Sequence, residues 1–349
     1  MQLIFIYIKE LNNMILLAYG TRPEYIKLKS LIHEFDANNY PYKTLFTGQH
    51  KDLVKEFKPD YEAQIIDGEN RLDSILTSIP YALHNVLKLY PQITHVLVQG
   101  DTTSVLAVAL SAFNHGIKVI HLEAGLRTYD NANPYPEEQN RRLVSQITDI
   151  HLCPTELSVE NLENELINGH KFVVGNTVLD NLLPYKEKCE YNNKVLVTMH
   201  RRENHHWMVE WFKEIDSLAE QHPELEFIIP IHPNPNVKKH KDLLKHVNIV
   251  DPMSHEELLE LLVKTKMVIT DSGGIQEECS FFNKKCLTCR KVTERPEAQF
   301  QSTWMIEKPE DLPIAFNNHL KHYEINYDCP FGDGHSAEKI IKILMNVIK

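Results

Sequence analysis

Four polar residues lie at positions where they could carry out acid–base chemistry. Asp101 and Glu123 each follow an apolar run, Glu137 lies in a loop rich in Pro and Asn, and His200 leaves an apolar run beside two arginines. Carboxylates that converge in one place can have their pKa values driven apart, which proton transfer at carbon requires. The sequence also leaves open that Asp101 and Glu137 are helix caps or first-turn acids.

The stretch VITDSGGIQEECSFF, residues 268 to 282, has the features of an anion site. An apolar run breaks at Asp271 and resumes as a helix-like segment, which would present the N–H groups of Ser272, Gly273 and Gly274 at a helix N-terminus. Glu278 lies four residues after Gly274, so both share one helix face about 6 Å apart along the axis. A nucleoside diphosphate, with an anionic end and a neutral diol end, fits both features.

Three cations lie where they could meet such an anion. Arg22 and Lys27 follow the first apolar run, near a predicted helix N-terminus whose dipole opposes positive charge. A cation at such a place is either solvated or binds an anion, and we favour the second interpretation. Arg295 lies downstream of the glycine-containing stretch, in the motif TERPEA.

Composition and motifs argue against several functional classes. The formal net charge of −11 disfavours a nucleic-acid partner, because phosphate contacts need clustered Lys and Arg. The sequence contains no HExxH, P-loop or GxGxxG motif, so we expect no metal, no cofactor and neither an ATP nor a nicotinamide site.

The N-terminal apolar run and the cysteines bear on location. Lys9 and Glu10 interrupt the run, which lacks a basic n-region and a cleavage site, so we expect neither a signal peptide nor a membrane span. Residues 1 to 13 are interpreted as an extra strand or as lying upstream of a true start at Met14. The scattered cysteines, including the lone CxxC pair Cys286 and Cys289, suit buried thiols in a reducing cytoplasm.

Apolar runs rich in Val and Ile alternate with helical patterns along the whole chain. This alternation predicts an α/β fold with parallel sheets covered by helices on both faces. A chain of 349 residues is too long for one core, and the pattern restarts after residues 168 to 184. We therefore predict two doubly wound domains facing across a cleft, with ligands at the carboxyl ends of their strands.

Taken together, the motifs at the strand ends resemble those of the non-hydrolysing UDP-N-acetylglucosamine 2-epimerase family. In chain order they are GTRPEYIK, TGQH, GDTTS, HLEAGLRT, PYPEEQNRR, VGNTVLD, TMHRREN, HPNPNV, TDSGGIQEE and TERPEA. The family has two Rossmann-like domains in the glycosyltransferase-B architecture, with the last helix crossing back onto the first domain. The resemblance thus implies an N-terminal domain of residues 1–168 plus 334–349 and a UDP-binding domain of residues 169–333.

The resemblance also implies a reaction, the interconversion of UDP-N-acetylglucosamine and UDP-N-acetylmannosamine for a surface polysaccharide. UDP leaves by anti elimination to give 2-acetamidoglucal, and it adds back after C2 is reprotonated on the other face. By position, Asp101, Glu123, Glu137 and His200 match the family's catalytic residues. Two carboxylates would act as base and acid, and which of them serves which face is not implied.

The residues implied for UDP binding come from both predicted domains. Met253 and Leu258 depart from the family, which usually carries Gln and an aromatic residue beside the uracil. The UDP-binding residues implied by position are Arg22, Lys27, Met253, Leu258, Ser272, Gly273, Gly274, Glu278 and Arg295.

A further departure concerns regulation. Bacterial members hold a second, activating UDP-sugar with a Gln-His-x-x-Gln segment and an arginine. This chain keeps Gln49 and His50, but Asp52 replaces the second Gln and Glu69 replaces the arginine. Because acids repel a pyrophosphate, we expect activation by substrate to be weakened or absent.

Other functions share parts of this pattern. A sibling 2-epimerase acting on a 6-deoxy or otherwise modified UDP-N-acetylhexosamine would keep the same residues. The hydrolysing branch is disfavoured by the GTRPE and HRREN motifs, and a glycosyltransferase of the same fold would not need the three acids. A catalytically inactive UDP-sugar sensor is disfavoured because all four catalytic positions are kept. The resemblance further implies a homodimer.

Overall fold

The computed structural model of the chain describes residues 13–49 and 58–348. They form two compact units, one that ends at Asn181 and resumes at Gly334, and a second from Leu182 to Asp333. The expectations for the first twelve residues, for His50 and for Asp52 lie outside the described residues. None of the described helices is long and apolar enough to cross a membrane.

Each unit contains a wholly parallel sheet. In the first unit the strand order is β3-β2-β1-β4-β5-β6-β7, and in the second it is β10-β9-β8-β11-β12-β13. The strands of the first sheet are β1 Met14–Tyr19, β2 Tyr42–Phe46, β3 Tyr61–Glu62, β4 Ile93–Gln99, β5 Lys118–Leu122, β6 Ile150–Cys153 and β7 His170–Val173. Those of the second are β8 Lys194–Thr198, β9 Glu226–Pro230, β10 Asn248–Val250, β11 Met267–Thr270, β12 Lys285–Thr288 and β13 Thr303–Met305.

Helices follow most of the strands, as the alternating sequence pattern predicts. In chain order the described helices are α1 Arg22–Ala37, α2 Arg71–Leu89, α3 Thr103–Asn114, α4 Glu137–Gln146, α5 Glu156–Asn164, α6 Leu183–Lys186, α7 Met208–Gln221, α8 Pro235–Lys238, α9 His255–Leu262, α10 Gly273–Phe281, α11 Leu312–Leu320 and α12 Ser336–Val347. Polar caps start several of them directly after a strand. Thr21 and Glu24 form a capping box at α1, and Thr102 caps α3 through the N–H of Val105.

The first sheet is apolar on both faces because its strands are buried on both sides. In β1, Ile15 and Leu17 pack on one side with residues of α1 and α12, whereas Leu16 and Ala18 pack on the other with residues of α2 and α3. Helices therefore cover both faces of the sheet. The predicted class, α/β with two doubly wound Rossmann-like domains, is confirmed.

The first unit reaches further along the chain than the N-terminal domain that the resemblance implies. Residues 169 to 181 belong to this unit. The reason is β7, which pairs in parallel with β6 from Ile150 to Cys153 and forms the edge of the first sheet. The helix α12 also belongs to the first unit, where it packs against α1.

Candidate active site

In the first unit, Glu123 lies directly after β5 and beside the end of β4. Lys27 Nζ lies 2.6 Å from each carboxylate oxygen of Glu123, and the amide of Gln99 donates to the same carboxylate. Glu123 is 8% exposed and has a φ of 66°, a left-handed conformation that costs a residue other than glycine about 1–3 kcal/mol. The structure thus holds a buried acid in a strained conformation, with a cation and an amide aimed at it.

Asp101 follows β4 and is held from a different helix. Arg141 of α4 donates to Asp101 Oδ2 at 2.5 Å and to Glu138 Oε2 at 2.7 Å, and Asn140 donates to the backbone carbonyl of Asp101 at 2.9 Å. The cap of α3 is Thr102. Asp101 is therefore not a helix cap, and Arg141 holds its carboxylate after the end of β4.

Glu137 lies at the first position of α4, as the alternative interpretation of a first-turn acid has it. It is half-buried and adjacent in sequence to Glu138, whose carboxylate is fully buried and accepts from the N–H groups of Thr128 and Tyr129. Glu138 thus closes the loop before α4, whereas Glu137 remains a candidate for chemistry. The sequence motif PYPEEQNRR contains both glutamates, but its pattern does not show which of them is structural and which is a candidate for chemistry.

Glu24 joins the loops that follow β1 and β4, and sequence reasoning missed it. Its Oε2 accepts from the N–H groups of Gly20 at 2.6 Å and Thr21 at 3.2 Å, while its Oε1 accepts from Thr102 Oγ1 at 2.8 Å. Burial raises the pKa of Glu24 to about 7. Arg22, two residues earlier, begins α1 and is exposed, so it remains accessible to a ligand.

In the second unit, a cavity of about 280 Å³ opens at the carboxyl ends of the strands. The N-cap of α10 is Ser272, and the helix begins at Gly273. A Cβ atom at Gly274 would have no neighbour closer than 4.0 Å. The structure brings six of the predicted site residues together in the cavity lining: His200, Met253, Leu258, Ser272, Gly274 and Glu278.

Glu278 faces the cavity from the second turn of α10. Its Oε1 lies 2.9 Å from His255 Nε2, and the side chain is only 5% exposed. Its Oε2 is buried without a hydrogen-bond partner among the described residues. A buried carboxylate oxygen in that position is an acceptor that a ligand hydroxyl can satisfy.

Arg295 lies on the other side of the α10 N-terminus, in a buried ionic network. Its guanidinium is paired with Glu277 and Glu294, and Arg290 donates to Glu294 at 3.2 Å and to Glu203 at 2.8 Å. The network packs against Gly273, where a Cβ atom would lie 2.7 Å from Arg295 Nη1 and 2.9 Å from Glu294 Oε1. The structure thus explains Gly273 by packing, and it adds two carboxylate contacts to a residue predicted only as an anion ligand.

His200 leaves β8 next to the same cavity. Its ring stacks on that of His232, with centroids 5.3 Å apart and planes inclined by 17°. Burial lowers the pKa of His200, and the nearby Asp271 carboxylate opposes that shift. The packing of His232 on His200 has no signal in the local sequence.

The expected loss of activation by substrate rests on acids near Gln49, but the structure places an arginine beside Gln49 as well. Ser104 Oγ donates to Gln49 Oε1 at 2.8 Å, and Arg71 donates to the backbone carbonyl of Gln49 at 2.9 Å. Glu69 is exposed two residues before Arg71. The chain therefore does place an arginine at this segment, and lost activation by substrate stays a prediction.

Comparison with known proteins identifies relatives over nearly the whole length. A profile of the family described as UDP-N-acetylglucosamine 2-epimerase matches residues 33–345. The UDP-N-acetylglucosamine 2-epimerase of Neisseria meningitidis serogroup A is 37% identical over 371 residues, which cover 95% of this chain and 99% of the relative.

Solved structures agree with the sequence comparison. A crystal structure of UDP-GlcNAc 2-epimerase from Neisseria meningitidis bound to UDP-GlcNAc is 34% identical and has a TM-score of 0.87, covering 95% of this chain and all of that one. A crystal structure of MurG from Acinetobacter baumannii, 11% identical with a TM-score of 0.60, shares the fold alone; the match covers 96% of this chain and all of MurG.

Proposed function

Because the chain belongs to the UDP-N-acetylglucosamine 2-epimerase family, we propose that it interconverts UDP-N-acetylglucosamine and UDP-N-acetylmannosamine. The observation that carries the proposal is the cavity of the second unit, where helix N-terminal amides and a buried carboxylate oxygen lie together. That pair fits a diphosphate and a sugar diol on one ligand. The acids of the first unit supply groups for proton transfer, which a purely binding protein would not need.

The UDP part of the substrate is assigned to the second unit. The N–H groups of Gly273 and Gly274 donate to the diphosphate, because a helix N-terminus favours an anion. The N–H of Ser272 instead donates to Thr270 Oγ1 at 2.9 Å. Glu278 Oε2 accepts a hydrogen bond from a ribose hydroxyl. Met253 and Leu258 line the cavity and border the uracil with apolar atoms. Arg295 of the same unit adds positive charge for the diphosphate.

The chemistry at the sugar is assigned to Asp101, Glu123, Glu137 and His200. One carboxylate takes the C2 proton, the C2–H electrons form the C1=C2 double bond, and the C1–O bond breaks so that UDP leaves. A second carboxylate protonates C2 from the opposite face as UDP adds back to C1. Donors aimed at the departing diphosphate, including His200, stabilise the charge that develops on it.

The test is proton NMR of UDP-N-acetylglucosamine with the protein in deuterated water. Epimerisation with deuterium at C2 supports the proposal. Free N-acetylmannosamine with UDP would assign the chain to hydrolysis instead, and an unchanged substrate would contradict epimerisation of this sugar. Running the 6-deoxy analogue in parallel identifies a sibling specificity, which a faster reaction of the analogue would show.

We also propose that the protein is a homodimer that works in the cytoplasm, where UDP-sugars are made. The helices α2, α3 and α4 pack side by side and leave large apolar side chains exposed: Tyr81 on α2, Leu110 and Phe113 on α3, and Leu143 on α4. Exposed apolar side chains on adjacent helices suit an interface between copies. Light scattering on the purified chain checks the dimer, and a mass of one chain at micromolar concentration contradicts it.

A further inference from the structure

Asp271 ends the turn between β11 and α10 and is completely buried, directly before the anion-binding amides. An unscreened carboxylate there would repel a diphosphate. In the described part of the chain, no Lys or Arg side chain forms an ion pair with it. Groups other than Lys and Arg side chains must therefore stabilise the carboxylate of Asp271.

Those groups come from the loop that follows the neighbouring strand β8. Both carboxylate oxygens of Asp271 lie 3.0 Å from the N–H of His200, and Oδ2 also accepts from Arg201 N at 2.9 Å and Asn204 Nδ2 at 3.1 Å. Asn204 further donates to the carbonyl of Cys289 at 2.9 Å. The carboxylate thus binds the loop 200–204 at its start and at its end.

The same carboxylate is the anion nearest to the His200 ring. Asp271 Oδ1 lies 3.9 Å from His200 Nε2. The other charged or titratable groups that face His200 are Arg201, His205 and His232, and each of them disfavours a proton on the ring, as burial does. Asp271 is the group that opposes them.

We propose that Asp271 is a positioning residue for the reaction, which fixes the loop that carries His200 at the cavity and places a carboxylate beside the His200 ring. The inference rests on the proposed function, because the position of His200 matters only if it meets the departing UDP. An uncharged residue of the same shape would keep the volume but lose one accepting oxygen and the charge.

The test compares Asp271→Asn with wild type and with a matched control, Asp216→Asn. Asp216 also accepts from a histidine N–H and pairs with its ring, at His246 on the same unit but outside the cavity. We expect Asp271→Asn to lower kcat by about 100-fold. In a proton NMR titration its His200 midpoint should fall by about one pH unit. Asp216→Asn should leave both quantities as in wild type.

Either an unmoved His200 midpoint or a kcat within about twofold of wild type in Asp271→Asn overturns the proposal. If that variant does not fold, Asn204→Ala tests the same loop with the charge intact. It should lower kcat by about fivefold at an unchanged KM, a modest loss for one hydrogen bond, and an unaltered kcat overturns the inference. If wild type does not epimerise the sugar, the proposed function fails, while the His200 titration still reports on Asp271.

Discussion

The two units hold acidic residues of their candidate sites in different ways. In the first, two of the predicted catalytic acids face cationic side chains, with Lys27 on Glu123 and Arg141 on Asp101. In the second, the acid beside the cavity, Asp271, is met by backbone N–H groups and an amide. Side-chain pairs can exchange partners when a substrate arrives, whereas backbone amides are fixed by the fold. The difference fits a proton-transfer region in the first unit and a rigid holder for UDP in the second.

Arg295 is the instructive exception in the second unit. Its guanidinium is buried between Glu277 and Glu294 and packs against Gly273. The positive charge of Arg295 therefore acts on the diphosphate that we assign to the cavity and also on the two buried glutamates.

Glu123→Gln should reduce the rate of epimerisation by at least about 1,000-fold, because the amide can neither take nor deliver the C2 proton at this position. NMR rates at saturating substrate measure the loss. Glu156→Gln is the control, since Glu156 is an exposed first-turn acid of α5 in the same unit. A Glu123→Gln variant that turns over normally would show that the assignment of this carboxylate is wrong.

Arg295→Ala should lower the free energy of unfolding by about 3–5 kcal/mol, because it removes the guanidinium that the buried Glu277 and Glu294 both face. Urea unfolding at pH 7 measures the change. The control is Arg142→Ala, whose guanidinium is 43% exposed and pairs with Glu165 at 3.7 Å. Arg142→Ala should lower the free energy of unfolding by less than about 1 kcal/mol. Equal losses in the two variants would contradict a supporting role for Arg295.

Glu24→Gln should change how stability depends on pH. The pKa of Glu24 is raised to about 7 in the folded state, so the native protein binds a proton that the unfolded chain releases above its ordinary value of 4.5. The stabilisation that protonated Glu24 contributes is fully present below pH 4.5 and is lost as the pH rises through 7. Between pH 5 and pH 8, wild type should lose about 2–3 kcal/mol that Glu24→Gln does not lose. Parallel pH curves for the two proteins would refute the assignment.

The adjacent glycines should respond differently to alanine. In Gly273→Ala the new Cβ meets the buried ion pair of Arg295 and Glu294, so we expect a loss of about 1–3 kcal/mol in unfolding free energy. In Gly274→Ala the Cβ has no neighbour closer than 4.0 Å, and stability should stay within about 0.5 kcal/mol of wild type. Calorimetric unfolding compares the two, and a reversed order would contradict the packing around α10.

Local patterns were enough to predict the strand ends and the helix starts that carry the site. Apolar runs and the break at Asp271 and Ser272 before α10 are signals contained within a few residues. The edge strand β7 was missed because its sequence, HKFV, is polar at its start and half-exposed, and the predicted boundary fell short of Asn181 for that reason.

Partners far apart in the chain could not be predicted in the same way. Lys27 and Glu123 are 96 residues apart, and Asp271 meets His200 across 71 residues. Such pairs form only when particular strands become neighbours. The pairing of β11 with β8 depends on the order of all the strands in the sheet. The sequence therefore identified the residue types of the site better than their contacts.

The separation of roles between the units is tested most directly by calorimetric titration of UDP into wild type, Glu123→Gln and Gly274→Ala. We predict that Glu123→Gln binds UDP within about threefold of wild type, because that carboxylate acts on the sugar. Gly274→Ala should bind about 10-fold more weakly, or about 1.4 kcal/mol, because Gly274 lines the cavity and an added methyl group takes up space there. Loss of UDP affinity in Glu123→Gln together with unchanged affinity in Gly274→Ala would contradict this separation of roles.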